Sequence, residues 1–317
     1  YGVSLKDWEE SGLASREIKS FKKMNEKYGI EYIFLTFGDF KDLNYEEKYP
    51  FVKIVPIFNF VKRKNGKIVN FLSTLIRIKK IIKQANLNFD LIKTNQLYGS
   101  WLALTIKILY RKPLIIRTGY DLLTFSLKDK KSLLKIILYY VLTLISLLFC
   151  NLYTVTSKID KDFLVKLFPF AKSKIILRRN WVNISSDVNN FDSRYDKKFI
   201  SVGRLEKQKN FDYLIKKLDG SDIELDIYGE GSLKNKLVEL NNKNVNFYGS
   251  IQNSVLLERY QKYKVFITST LYEGNPKAII EAMGSGCVVI APDIESIKEI
   301  VIHEETGILY NPEIHNL

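Results

Sequence analysis

Histidine is nearly absent from these 317 residues: there are two, His303 and His315, both close to the end. A His-rich metal centre is thereby excluded, as is a Ser-His-Asp triad built in the first half of the chain. Cysteine is equally scarce. Cys150 and Cys287 each stand in an apolar run, which marks two small core residues rather than a disulfide framework or a metal site. Sixteen Gly and seven Pro exclude a low-complexity protein, and no repeat at a period of about 20–50 residues points to a solenoid. No signal peptide opens the chain, but it starts at Tyr1 without a Met, so targeting is left undecided at that end.

Acidic residues are the third shortage, and it is local. Residues 1–185 carry 33 Lys/Arg against 15 Asp/Glu, a balance of +18, while residues 186–317 carry 16 against 20, a balance of −4. The formal total is +14. Such a split implies two modules with different partners. The length agrees, since it suits two domains of about 150 residues better than one core. With 46% hydrophobic and 26% charged residues, the chain is neither disordered nor fibrous.

Short β-rich runs alternate with longer helical ones. Strands are expected at 32–37, 52–57, 91–94, 114–117, 152–156 and 174–177, then at 199–202, 224–228, 245–248, 265–268 and 288–291. Helices fall between them, at 15–27, 68–85, 100–110, 132–149 and 158–167, then at 211–217, 232–241, 255–261, 277–283 and 296–301. This rhythm predicts an α/β fold with parallel sheets wrapped by crossover helices. It occurs twice, on either side of a polar stretch near 180–198, so two doubly wound domains are expected, 1–185 and 186–317. The segment 136–152 is 17 residues without a charge, at the lower edge of what spans a bilayer. A helix buried against the sheet fits it, and so does a helix lying on a membrane surface behind Lys128, Lys130, Lys131 and Lys135. A true span does not, because the α/β rhythm continues on both sides.

Three segments of the second half carry chemistry. In 199–211 a strand ends at Gly203, and Arg204 and Lys209 follow before a helix. Two cations beside a helix N-terminus suit a diphosphate, although a solvated surface loop reads the same way. In 225–232 a strand ends in Gly229 and Gly231, which is a tight turn or the edge of a ligand pocket; the third glycine of a dinucleotide fingerprint is missing. In 269–283, Glu273 precedes the turn Gly274-Asn275-Pro276-Lys277, and Glu281 lies eight residues after Glu273 on the following helix. A turn opening a helix offers backbone amides to an anionic or hydroxyl-rich ligand. As the bland alternative, Glu273 caps the helix and Glu281 is solvated.

In this order and spacing the segments closely resemble the nucleotide-sugar domain of glycosyltransferase family 4, over Lys174 to Pro312 and including Asn180-Trp-Val-Asn183. The first half resembles the same family more weakly, through Tyr1-Gly-Val-Ser-Leu5, Arg16-Glu17 and Arg117-Thr-Gly-Tyr-Asp121. The resemblance implies a GT-B fold, two Rossmann-like domains facing a cleft. It also implies metal-independent, retaining transfer of a hexose-type sugar from a nucleotide-diphosphate donor, with no cofactor and a UDP-sugar favoured. Arg204 and Lys209 would hold the donor diphosphate, Glu281 the ribose, and Glu273 with the backbone at Gly274, Asn275, Pro276 (carbonyl only) and Lys277 the sugar. Gly203, Gly229, Gly231 and the turn through Ile251 would border the nucleotide, and Gly2 and Ser4 would belong to a loop on the phosphate side.

Many members of the family use a histidine after the fourth strand, where this chain has Arg117-Thr-Gly-Tyr-Asp121. Asp121 is therefore expected either to line the acceptor side as a fourth catalytic residue or to cap the next segment. Measured against the family, a strand before Tyr1 and helices after Pro312 are expected to be missing. An acceptor-binding first half at +18 favours a glycan or lipid-pyrophosphate-linked acceptor at an anionic membrane surface, with Lys62-Arg63-Lys64 and Lys79, Lys80 and Lys83 contributing. The expected location is cytoplasmic, peripheral at the inner face of the cell membrane. Free use of Lys would also explain the charge. Two other functions compete: a nucleotide-sugar epimerase of the same fold, and a basic nucleic-acid-binding protein. The first lacks suitably placed acid/base residues. The second lacks a recognition helix or stacking strand, so no nucleic-acid partner is expected.

Overall fold

In the computed structural model, residues 3–10, 13–184, 189–240 and 243–312 are described. Contacts divide the chain into one unit of Tyr1–Val155 with Phe163–Leu177 and a second of Thr156–Asp162 with Arg178–Leu317. Every strand pair in both units is parallel, as an alternation of strands and crossover helices requires.

In the first unit the strands are β1 (Tyr32–Thr36), β2 (Val52–Pro56), β3 (Ile92–Lys93), β4 (Leu114–Arg117), β5 (Leu152–Val155) and β6 (Ile175–Leu177). They form two pieces, a pair β1-β2 and a four-stranded sheet β3-β4-β5-β6, where a single doubly wound sheet was expected. Leu114, Ile116, Tyr153 and Val155 have no measurable exposure, because a parallel strand is covered on both faces. The helix Leu133–Phe149 is buried on one side, as expected of a helix packed against the sheet, and exposed on the other. Tyr139, Leu142, Ser146 and Leu147 are buried, while Leu133, Leu134, Ile137 and Leu138 on the other side are exposed. Among the described residues no helix is long and apolar enough to cross a membrane.

The second unit has one six-stranded sheet of β7 (Tyr195–Val202), β8 (Glu224–Tyr228), β9 (Val245–Phe247), β10 (Tyr263–Ile267), β11 (Val288–Pro292) and β12 (Gly307–Tyr310). Its order is β12-β11-β10-β7-β8-β9. From β7 the chain winds outward through β8 and β9, returns to the other side of β7, and winds outward again. That is the doubly wound order, with its reversal between β7 and β10. The sheet is packed on both faces: Ile200, Phe266 and Val289 belong to one apolar cluster, and Leu225, Ile227 and Ile267 to another. All the expected strands and helices are present, with ends shifted by a few residues. β12 was not expected; its Gly-Ile-Leu-Tyr run is too short to show a period.

Candidate functional site

Where strand order reverses, the loops leaving two adjacent strands part in opposite directions and open a crevice at the strands' carboxyl ends. In the second unit those loops are 203–210, after β7, and 268–276, after β10. They contain Arg204, Lys209 and Glu273.

The two loops are laced together. Lys209 Nζ forms an ion pair with Glu273 Oε1, the two side chains being 16% and 10% exposed. At that burial the pair is shielded from most screening. The Thr270 hydroxyl lies 3.0 Å from the same carboxylate oxygen. Gln208 binds twice, its Nε2 donating to Tyr272 O at 2.8 Å and its carbonyl accepting from Leu271 N at 2.9 Å. Ser269 Oγ reaches the carbonyls of Lys209 and Asn210 at 3.0 and 2.8 Å. Arg204 stands on the same loop, exposed, with Nη2 3.4 Å from Gln208 Oε1. An anion arriving here meets one exposed guanidinium and one ammonium held by a carboxylate.

The glycines serve this geometry by letting backbone approach backbone. Gly229 has φ +152°, and a Cβ there would lie 1.9 Å from Gly203 O, so no other residue fits. A Cβ on Gly231 would fall 2.5 Å from Leu205 O, and one on Gly203 would press on the Lys209 stem at 3.1 Å. Gly229 N also donates to Gly249 O at 2.8 Å, which brings the Gly249–Ile251 turn to the same edge. Two residues after Ile251, Asn253 Nδ2 donates to Glu281 Oε1 at 3.1 Å.

Glu281 is not solvated. It is 1% exposed, on the helix Lys277–Gly284 that Pro276 opens. The amides of Ala278 and Ile279 lie in its first turn, where a helix offers donors without intrahelical partners. Gly274, Asn275 and Pro276 are buried. The Asn275 side chain is committed elsewhere, its Oδ1 accepting from Asn180 N at 2.8 Å. Thus Gly203, Arg204, Lys209, Gly229, Gly231, Ile251, Glu273, Gly274, Asn275, Pro276 and Lys277 all sit on loops or a first turn at the carboxyl edge of one sheet, and Glu281 lies one turn further along the same helix.

The other expected site residues belong to the first unit. Gly2 lies outside the described residues. Ser4 belongs to the first unit, where its hydroxyl and amide both meet Asp7 Oδ2, at 2.7 and 2.8 Å. Asp121 takes the capping role. It is 0% exposed, and its Oδ1 accepts from Thr124 N at 2.9 Å at the start of the helix Leu122–Lys128. Its Oδ2 accepts from the Tyr153 hydroxyl at 3.1 Å. Burial pushes the Asp121 carboxyl up from its ordinary value. With both oxygens occupied and none of its surface accessible, Asp121 serves in this structure as the cap, the second of the two expected roles. Arg117 and Glu17, from the two weak first-half motifs, do meet, at 3.2 Å.

Sequence reasoning assigned no role to Gln208, Thr270 or Asn253. Thr270 had a signal: Thr268, Ser269 and Thr270 are three consecutive hydroxyls leaving an apolar strand, a place where the loop must find its own partners. Gln208 and Asn253 had none.

Residues 186–317 match the family model of glycosyl transferases group 1. The chain is 26% identical over 276 residues to an uncharacterized 41.2 kDa protein of the cps region of Klebsiella pneumoniae, covering 80% of this chain and 74% of that one. It is 30% identical over 189 residues to a Campylobacter jejuni N-acetylgalactosamine-N,N'-diacetylbacillosaminyl-diphospho-undecaprenol 4-alpha-N-acetylgalactosaminyltransferase, covering 55% of this chain and 50% of that enzyme. In fold it is similar to the lipopolysaccharide outer core galactosyltransferase WaaB, with TM-score 0.61 and 19% identity over 94% of this chain and 80% of that one. It is also similar to Anabaena HepE in complex with UDP and glucose, with TM-score 0.63 and 16% identity over 88% of this chain and 78% of that one.

Proposed function

We propose that this glycosyltransferase, of the GT-B fold and carrying a group 1 domain over residues 186–317, moves a hexose-type sugar from a UDP-linked donor to a glycan or lipid-pyrophosphate-linked acceptor. Transfer proceeds with retention at the anomeric carbon and without a metal. The observation that carries the reading is the Lys209–Glu273 pair at the reversal of strand order, with Arg204 on the same loop.

Chemistry follows from charge. As the bond from the sugar's anomeric carbon to the β-phosphate oxygen lengthens, negative charge grows on the diphosphate. Fixed cations near that oxygen lower the barrier, because they need not reorganise as the charge develops. When the donor binds, before the bond lengthens, Lys209 turns from Glu273 to the phosphate and Arg204 closes on it from solvent, so both are in place as the charge develops. Glu273, released, accepts from a sugar hydroxyl. Glu281, held by Asn253, faces the ribose, and the amides opening the helix Lys277–Gly284 border the sugar. The acceptor hydroxyl forms the new bond to the anomeric carbon, and its proton leaves with the nucleoside diphosphate. The basic first half holds the acceptor, on the cytoplasmic face of the membrane.

The supporting facts are the group 1 match and the likeness to a diphospho-undecaprenol-linked transferase and to HepE, whose structure contains UDP and glucose. The test is a panel of nucleotide sugars with released nucleotide as readout. Lys209→Ala and Glu273→Ala should each lower turnover by about 10²-fold or more. Turnover that survives both substitutions removes the site, and an isomerised donor without released nucleotide points to an epimerase instead.

A further inference from the structure

We propose that the helices Lys67–Gln84, Ser100–Tyr110 and Leu133–Phe149 of the first unit form one face that docks on an anionic lipid bilayer. Three observations carry this. The helices pack in series, the middle one against both others, so their outer sides adjoin. Each outer side carries large apolar residues where a water-facing helix would be polar. On the first helix Ile68, Leu72 and Ile76 recur every fourth residue with exposures of 72%, 52% and 83%. On the third, Leu133 and Leu134 are 72% and 78% exposed, and Ile137 and Leu138 continue the row at 49% and 51%. Between them the middle helix exposes Ile108 at 67%. Single exposed apolar residues are ordinary; adjoining rows are not.

The surrounding charge selects the occupant. Residues 51–157 contain 18 Lys/Arg and three Asp/Glu. Of those three, Asp121 is buried, while Asp90 and Asp129 stand 3.7 and 3.3 Å from Lys112 and Lys131. Apolar rows bordered by lysines fit the boundary between headgroups and acyl chains of an anionic leaflet. A second copy fits poorly, because two-fold pairing would press the same basic face against itself. The proposal deepens the reading of a lipid-linked acceptor, and it is tested apart from it: flotation reads the face, while UDP released with a water-soluble acceptor reads the transfer.

The experiment is flotation of the full chain with phosphatidylcholine vesicles, with and without phosphatidylglycerol. The chain should float with the anionic vesicles and be released by salt. Ile76→Asp with Leu134→Asp, and separately Lys79→Glu with Lys80→Glu, should each lower the bound fraction about tenfold. All four positions are exposed, and unchanged circular dichroism and UDP binding verify that the variants fold. Equal flotation with both vesicle types, or unchanged binding of both double variants, overturns the proposal. A dimer that Ile76→Asp dissociates overturns it too, and assigns the face to a second copy.

Discussion

Asn180 and Asn275 grip each other reciprocally: Asn275 Oδ1 accepts from Asn180 N at 2.8 Å, and Asn180 Nδ2 donates to Asn275 O at 2.7 Å. This clamp ties the start of the second unit's Arg178–Leu317 stretch to the buried turn that follows Glu273. Asn180→Ala keeps the backbone bond and loses the side-chain one, leaving the Asn275 carbonyl without that donor. Stability should fall by about 1–2 kcal/mol, and affinity for UDP should fall with it as the Gly274–Pro276 turn loosens. Thermal unfolding and a UDP titration on the same variant measure both.

Gly229→Ala and Gly220→Ala form a matched pair. Both positions have positive φ, +152° and +74°, but a Cβ on Gly229 meets Gly203 O at 1.9 Å while one on Gly220 meets nothing within 4 Å. Gly220→Ala should cost about 1 kcal/mol from backbone strain alone. Gly229→Ala should cost at least about 2 kcal/mol more, because backbone must shift, and should abolish UDP binding by moving the Gly203 loop. Denaturant midpoints compare the two; equal costs would show that the close approach is unimportant.

Asp121→Ala should lower stability and leave the chemical step alone. The cap accounts for about 1 kcal/mol, and the Tyr153 hydroxyl loses its acceptor. Asp121→Asn carries a pH signature. Burial raises the folded-state carboxyl above its unfolded value, so the protonated form favours the fold, and that stability is present at low pH and lost as pH rises through the folded value. The Asn variant does not titrate. Its melting temperature relative to wild type should therefore improve as pH rises; a difference that widens against Asn with rising pH would contradict the burial argument.

Both thiols should be inert in the native protein. Burial pushes Cys150 up to about 11 and Cys287 up to about 12, and the thiol rather than the thiolate is unreactive toward disulfide reagents. A thiol titration near pH 8 should detect neither until denaturant is added, and then both.

The α/β class, the strand positions and the grouping of Arg204, Lys209, Glu273 and Glu281 were legible because each leaves a local mark. Apolar runs mark parallel strands, glycine marks a strand's end, and a carboxylate eight residues after another marks the two sides of a helix start. What was not legible is who pairs with whom. Asp121 reads identically as a cap or as a catalytic acid until its burial and its bonds to Thr124 and Tyr153 are seen. The commitment of Asn275 to Asn180 links positions far apart in the chain, and no spacing encodes it. The helix Leu133–Phe149 hid its division into faces, because both faces are apolar and leave no period.

The reversal of strand order between β7 and β10 has a consequence for how the protein is made. Lys209 and Glu273 are 64 residues apart, and β8 and β9 lie between β7 and β10 in the chain although β10 is the one that pairs with the other side of β7. The site is thus a product of long-range closure, which is slow to form. A chain emerging from the ribosome can fold β7, β8 and β9 into a parallel sheet while Glu273, the partner of Lys209, is still unmade. The Lys209–Glu273 pair, unlike the strands before it, arrives only with the second winding.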